Sequence, residues 1–266
     1  MKPIQTILDF YERKKQGDGL SMLTCYDHWT AKILNDSPVD TLLVGDSVSM
    51  VLHGHPNTLA ADTDMMRLHT SAVARGAPNK FIVSDMPFLS VRKGIQYAVE
   101  TAEVLVRAGA QAVKIEGILG HEDIIRHLVE SGIPVMGHLG LTPQFYHQLG
   151  GFKVQGRDTE TSDLLFSQAK KLQELGVFCV VLECVPSLLA EKITQALSIS
   201  TIGIGAGEGT DGQVLVLQDM LGGNPQFQPK FLRLYEDLHA KILKAVTNFD
   251  HDVKEGRFPS AKESYV

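Results

Sequence analysis

The sequence predicts an α/β fold: a single (β/α)8 TIM barrel with an N-terminal helix and a C-terminal helical extension. Three observations predict it. Six short apolar runs, TLLVGDS (41–47), FIVSDMP (81–87), AVKIEG (112–117), PVMGHLG (134–140), CVVLECV (179–185) and TIGIGAG (201–207), have the length and turn-residue borders of buried parallel strands. Segments of helical periodicity alternate with them, as a parallel sheet requires. A barrel of this kind takes about 250 residues, and the chain has 266. One domain over 1–266 is expected, with a helix and turn at 1–19, the barrel at 20–221 and a helix and tail at 222–266.

Each element follows from local pattern. Residues 3–16 space Ile4, Ile7, Leu8 and Tyr11 as a helix. A glycine-rich turn then feeds a strand at 21–26, and HWTAKILNDS reads as a helix that Pro38 ends. After the 41–47 strand comes a polar loop with His53 and His55, then a helix over 62–75 that closes at RGAPN. Helices at about 92–108 and 120–130 separate the next strands. LTPQFYHQLGGFKVQGRD (141–158) has little apolar periodicity, and loops that long are usually functional or mobile. Helices at about 160–175 and over SLLAEKITQAL flank CVVLECV, and VLVLQDML (214–221) is the eighth strand. Only residues 208–213 separate it from TIGIGAG, whereas parallel neighbours usually need roughly a dozen residues or more between them. Either the seventh helix is vestigial or one strand is misassigned. PKFLRLYEDLHAKILKAVTNF closes the chain as an amphipathic helix, with Phe231, Leu234, Leu238 and Ile242 on one side.

Composition narrows the class. The hydrophobic fraction of 44% and charged fraction of 21% are those of a globular domain. A net charge of −6 with no long basic block argues against nucleic acid. Cys25, Cys179 and Cys184 form no CxxC pair and read as small buried hydrophobes in a reducing compartment. The start, MKPIQTILDFYERKK, lacks the apolar core of a signal peptide, and no stretch has the length of a membrane span, so a cytoplasmic protein is expected.

The strands end in groups able to do chemistry: Asp46 with Ser47, Asp85, Lys114 with Glu116, His138, and Glu183. Burying so many ionisable groups is costly unless they pair or bind something. Strand side chains alternate faces, so Lys114 and Glu116 share one face while Val113 and Ile115 face the helices. The same parity is expected to aim Asp46, Asp85, His138 and Glu183 at the barrel mouth, where such barrels carry their active sites. Each residue also has a structural reading. Asp46 and Asp85 could be helix caps, Lys114 and Glu116 could neutralise each other, and His138 could be a core histidine. Five successive strands ending this way favour a shared site, with a structural ion-pair network as the competing account.

Two aspartates without adjacent cysteine suit a hard divalent cation such as Mg2+; HExxH and paired-cysteine zinc spacings are absent. A cation beside a lysine would chelate a 2-oxo acid and stabilise its enolate, with Glu183 taking the α-proton. GIGAGEG fails the GxGxxG pattern because Glu208 stands where the third glycine belongs, and a tight turn is its expected role.

In order, LLVGDS, SDMPF, VKIEG, GHLGLTPQ, GGFKVQGR, VLECVP and IGIGAG followed by TDGQVLV resemble the ketopantoate (3-methyl-2-oxobutanoate) hydroxymethyltransferase family, from about Thr24 to Phe231. The resemblance implies a Mg2+-dependent barrel in pantothenate biosynthesis. Its members move a hydroxymethyl group from 5,10-methylenetetrahydrofolate to 3-methyl-2-oxobutanoate, giving 2-dehydropantoate, and commonly assemble as decamers. It implies Asp46 and Asp85 as metal carboxylates, with Glu116 in the metal's shell. It also implies Ser47, Lys114 and His138 at the substrate, alongside Asp46 and Asp85, and Glu183 as proton acceptor. Two departures fall in the loop after the second strand: Ser49 stands where the family usually has glycine, and TLAADT replaces TLPVT. They bear on loop mobility and folate contacts but leave the acidic positions intact. A Mg2+-dependent 2-oxo-acid aldolase or lyase is the alternative, and a catalytically silent barrel ranks last.

Overall fold

Eight parallel strands close on themselves in sequence order: β1 (Leu20–Thr24), β2 (Thr41–Val44), β3 (Phe81–Asp85), β4 (Ala112–Glu116), β5 (Val135–Gly140), β6 (Cys179–Glu183), β7 (Ser200–Ile204) and β8 (Gly212–Leu215). The last pairs with the first, Leu20 to Leu23 against Gly212 to Leu215. This computed structural model describes residues 3–265 of the chain. Every residue of β2, β3 and β4 is buried, as expected of strands covered on both faces.

Helices α1 (Ile7–Gln16), α2 (His28–Asn35), α3 (Val48–Val51), α4 (Thr63–Gly76), α5 (Ile95–Arg107), α6 (Glu122–Glu130), α7 (Tyr146–Leu149), α8 (Thr159–Glu174) and α9 (Ser187–Ala196) fill the connections. Aspartates start several of them. Asp27, Asp62 and Asp158 each accept a hydrogen bond from the backbone N–H three residues on, satisfying a donor that the helix itself cannot.

Alternate strand residues fill the barrel interior with Met22, Leu43, Val83, Met136, Val181, Ile202 and Val214. Helix α1 lies at the end where the strands begin. Its Phe10 meets Phe81 and Phe178 edge-on, with centroids 5.4 and 5.0 Å away. Such contacts add to the burial of the rings themselves. With apolar side chains stoppering that end, polar chemistry is left to the opposite rim.

One expectation is corrected, and an open alternative is settled. The eighth strand is Gly212–Leu215, and the LQDM part of 214–221 is instead a short helix, α10 (Leu217–Met220). No helix connects β7 to β8, so the seventh helix is absent and residues 205–211 cross directly. Asp211 makes this possible: its carboxylate accepts from the Thr201 backbone N–H and from Lys14. The glycines of GIGAG serve the tight turn, with Gly205 and Gly207 at φ +63° and +80°.

The chain divides into two compact units, Met1–Leu215 and Val216–Val266. In the second, the long helix α11 spans Leu238–Lys254, capped by Asp237, whose carboxylate accepts from Ala240 N–H. Phe231 and Leu234, expected on its apolar side, precede it, because the cap sets the start at Leu238. No helix among the described residues is long and apolar enough to cross a membrane.

Candidate active site

The register of the barrel decides which strand ends meet. Asp85 is the neighbour of Lys114, Glu116 of His138, and Gly140 of Glu183. All point inward by the parity that places Val83, Ala112, Met136 and Val181 in the core. Asp46 does not follow that parity. On β2 the inward residues are odd-numbered, Leu43 among them, and Asp46 arrives from the turn after the strand. Gly45 allows this: a β-carbon there would stand 2.7 Å from Ser47 Oγ and 3.6 Å from Asp85 Oδ2.

Lys114 Nζ lies 2.9 Å from Asp85 Oδ1, with both side chains almost fully buried. Among the described residues, Oδ1 is engaged by this ion pair alone, while Asp85 Oδ2 accepts from the Asp46 backbone N–H at 3.0 Å. Lys114 therefore pairs with Asp85 and not with Glu116. Burial alone would lower its pKa, but Asp85, Glu116 and Asp46 outweigh burial and hold the ammonium charged.

His138 stands between carboxylates, its Nδ1 3.5 Å from Glu116 Oε1 and its Nε2 3.2 Å from Glu183 Oε2. Burial and Lys114 oppose its charge, yet Glu116 and Glu183 raise the imidazole to about 9. Lys114 Nζ also lies 3.3 Å from Nδ1, a contact that would need that nitrogen unprotonated. The two readings exclude each other. Lys114 already has Asp85, and two carboxylates flank the ring, so the imidazolium form fits best.

Neither aspartate caps a helix. Asp46 Oδ2 accepts from Gln144 Nε2 at 2.8 Å, and the same amide nitrogen donates to the Met86 carbonyl at 2.9 Å. The Gln144 backbone N–H donates to Glu116 Oε2. Gln144 thus ties three strand ends together, and it was not anticipated. Its sequence signals were its place at the end of GHLGLTPQ and in the long loop with little periodicity. Tyr26 was missed as well; its buried hydroxyl shares a 2.8 Å hydrogen bond with Ser47 Oγ.

Asp46 is pushed well above the usual carboxylate range, first by burial and then by Asp85 and Glu116. Were all four carboxylates (Asp46, Asp85, Glu116, Glu183) ionised, the cations Lys114 and His138 would leave two negative charges uncompensated, and burial with this crowding is what pushes Asp46 up. That crowding of carboxylates fits one divalent cation. Among the described residues no three His, Cys, Asp or Glu side chains form a ready-made metal cage. Mg2+ needs none, since it is commonly held by one or two carboxylates plus water and substrate oxygens. Asp46 and Asp85 are the pair able to hold it directly. Both oxygens of Glu116 face other partners, which suits contact through water.

Comparison with known proteins settles the family. The sequence profile described as Ketopantoate hydroxymethyltransferase matches residues 5–261. The chain belongs to the ketopantoate hydroxymethyltransferase family. Curated members named 3-methyl-2-oxobutanoate hydroxymethyltransferase include one from Bdellovibrio bacteriovorus, 53% identical over 98% of this chain and 100% of that one. Another, from Coxiella burnetii, is 54% identical over 94% and 95% of the two chains. Solved structures similar in fold include 2,3-dimethylmalate lyase, a PEP mutase/isocitrate lyase superfamily member (TM-score 0.61, 15% identity, 98% and 92% covered). Phosphonopyruvate hydrolase in complex with oxalate and Mg2+ is another (TM-score 0.63, 10% identity, 97% and 93% covered). Ser49, where the resemblance implies glycine, is fully buried and donates to the Asn57 carbonyl at 2.8 Å, fastening the loop. Asp62 of TLAADT is the cap of α4.

Proposed function

We propose that this chain transfers a hydroxymethyl group from 5,10-methylenetetrahydrofolate to 3-methyl-2-oxobutanoate, giving 2-dehydropantoate. The observation that carries the reading is the convergence of Asp46, Asp85, Lys114, Glu116, His138 and Glu183 on one rim, in a chain 53% identical to a named hydroxymethyltransferase.

Asp46 and Asp85 hold Mg2+, with Glu116 in its shell. When bound, the ion supplies Lewis-acid stabilisation of negative charge on the substrate's keto oxygen. Ser47, Lys114 and His138 bind and orient the 2-oxo acid, Lys114 neutralising charge on its oxygens. Glu183, 19% exposed and therefore reachable from the mouth, takes the proton from C3. His138 braces Glu183 against the carboxylates behind it. C3 then forms its new bond to the methylene carbon of the folate as both of that carbon's bonds to folate nitrogen are broken, water supplying the hydroxyl oxygen and the freed tetrahydrofolate nitrogens taking up the protons. Self-association, with a decamer as the expected form, is supported by the row of exposed apolar residues Ile242, Val246, Phe249 and Val253 along α11. A cytoplasmic location belongs to the same reading.

The test is hydrogen–deuterium exchange at C3 of 3-methyl-2-oxobutanoate, followed by NMR with and without Mg2+, before any folate is added. Metal-dependent exchange is expected, with its loss in Glu183→Gln. Exchange at the wild-type rate in that variant would sink the assignment of the base. An aldolase or lyase would instead form product from free aldehydes without the folate.

A further inference from the structure

The strand that carries Glu183 leaves the barrel through a strained residue. Cys184, the next along the chain, has φ +48°, in the left-handed region that a residue with a β-carbon enters only under constraint. Among the described residues, Leu89 is the one other non-glycine residue with such a φ. The neighbours impose it. The peptide that joins Glu183 to Cys184 spans both adjacent strands: its carbonyl accepts from the Leu141 N–H at 2.8 Å, and its N–H donates to the Ile204 carbonyl at 2.8 Å. On the far side Val185 is 2% exposed. It packs into the space that Gly140 keeps open, where a β-carbon would come within 2.6 Å of Val185 Cγ2. Glu183 and Val185 are both fixed, and a left-handed residue joins them.

The segment GGFKVQGR (150–157) supplies a third hold. The Gln155 N–H donates to the Cys184 carbonyl at 2.9 Å, so the carbonyl that the positive φ swings off the strand ladder is satisfied. Gly156 brings the segment against α8 and α9: at φ +81°, a β-carbon there would stand 2.7 Å from Leu189 Cδ2 and 2.8 Å from Leu165 Cδ1. This gives the motif a task that the chemistry above leaves unassigned. The thiol has none. Burial first, and the Glu183 charge next, push it up to about 11, so it stays protonated and is a poor nucleophile.

We infer that Cys184 is a positioning residue for the proton transfer: its left-handed backbone, clamped between Ile204 and Gln155, aims Glu183 at the C3 proton of the 2-oxo acid. A residue that refuses positive φ must release one of these holds. Val185 is buried and leads into α9, so the strand end moves instead, and with it the carboxylate that His138 meets at 3.2 Å. A shift of about 1 Å at a reacting group is enough to cost up to about a hundredfold in rate. The inference rests on the reading of Glu183 as the base and adds the residue that holds it.

Three substitutions separate backbone from side chain. Valine is close to cysteine in size but β-branched, so it resists positive φ. Glycine and asparagine, one smaller and one larger, accept it. Deuterium exchange at C3 is expected to fall about tenfold or more in Cys184→Val. The KM for 3-methyl-2-oxobutanoate should stay within about twofold of wild type there, since Ser47, Lys114 and His138 keep their places. Cys184→Gly and Cys184→Asn should exchange C3 within about twofold of wild type, and Cys184→Gly should melt at or above the wild-type Tm. Backbone amide exchange at Gln155 should speed up in Cys184→Val alone. A packing or thiol role predicts the reverse order, with Cys184→Gly and Cys184→Asn losing more than Cys184→Val, and that order overturns the inference. So does wild-type C3 exchange in Cys184→Val. If Cys184→Val does not fold, the other two decide, and loss of C3 exchange in either overturns it. Glu183→Gln in the same assay keeps the two readings apart: wild-type exchange there removes the base itself, whatever residue 184 does.

Discussion

Glu183 is held in place by Gly140 on the neighbouring strand. The two are register partners at the mouth, and the Leu141 N–H next to Gly140 donates to the Glu183 carbonyl at 2.8 Å. Gly140 has φ +93°, and a β-carbon there would run into the Glu183 carbonyl and come within 2.6 Å of Val185 Cγ2. The glycine of GHLG is therefore a packing requirement of the proposed base.

Gly140→Ala should cost about 3 kcal/mol, from left-handed backbone strain together with overpacking. It should also slow C3 exchange at least about tenfold, since a displacement of about 1 Å at a reacting group can cost more than that. Urea unfolding and the exchange assay check both. A variant with wild-type stability would mean that the strands part without consequence.

Lys114 is the cation on which the buried carboxylates depend. Lys114→Met leaves Asp85 and Asp46 facing each other unneutralised, and breaking a buried pair costs about 3–5 kcal/mol. A divalent ion between those carboxylates would restore part of the loss, so millimolar Mg2+ should raise the Tm of this variant more than that of wild type. Equal shifts would argue that the aspartates do not hold the ion.

How far the sequence could be read differs by level. Strand positions were legible because parallel strands buried on both faces leave continuous apolar runs, and β3 to β6 lie where the runs place them. The eighth strand was blurred because VLVLQDML continues in apolar residues beyond Leu215, where the backbone turns helical; nothing local marks that change. Parity correctly placed Asp85, Lys114, Glu116, His138 and Glu183 on one face, since all lie within strands. It failed for Asp46, which lies past the end of β2, where alternation no longer governs direction. Gln144 was illegible for a related reason: its three partners come from β3, β4 and the turn after β2, and only the closed barrel brings them together.

Gln144 offers a direct probe of those contacts. Gln144→Ala strands Asp46 Oδ2 and the Met86 carbonyl and should cost about 1–3 kcal/mol. Gln144→Glu is sterically similar but sets a third negative charge against Asp46 and Glu116, so in chelator it should melt below the alanine variant. Added Mg2+ should close that gap. Differential scanning calorimetry of the two variants side by side decides, and an unchanged gap would speak against a cation at Asp46.

His121 predicts an acid limb of stability separate from the catalytic carboxylates. Its folded value is lowered to about 4 from 6.5 by burial and Arg92. Above pH 6.5 both folded and unfolded chains hold it neutral, and it contributes nothing. Between 6.5 and 4 the unfolded chain takes up a proton that the folded ring refuses, so stability falls as pH falls. The loss should reach about 1–2 kcal/mol by pH 5. His121→Gln should be less stable at pH 7.5, because the Gly117 carbonyl loses its donor, yet it should lose less between pH 7.5 and 5 than wild type. Urea unfolding at the two pH values measures both slopes. Parallel slopes would mean that the fold does not hold His121 neutral.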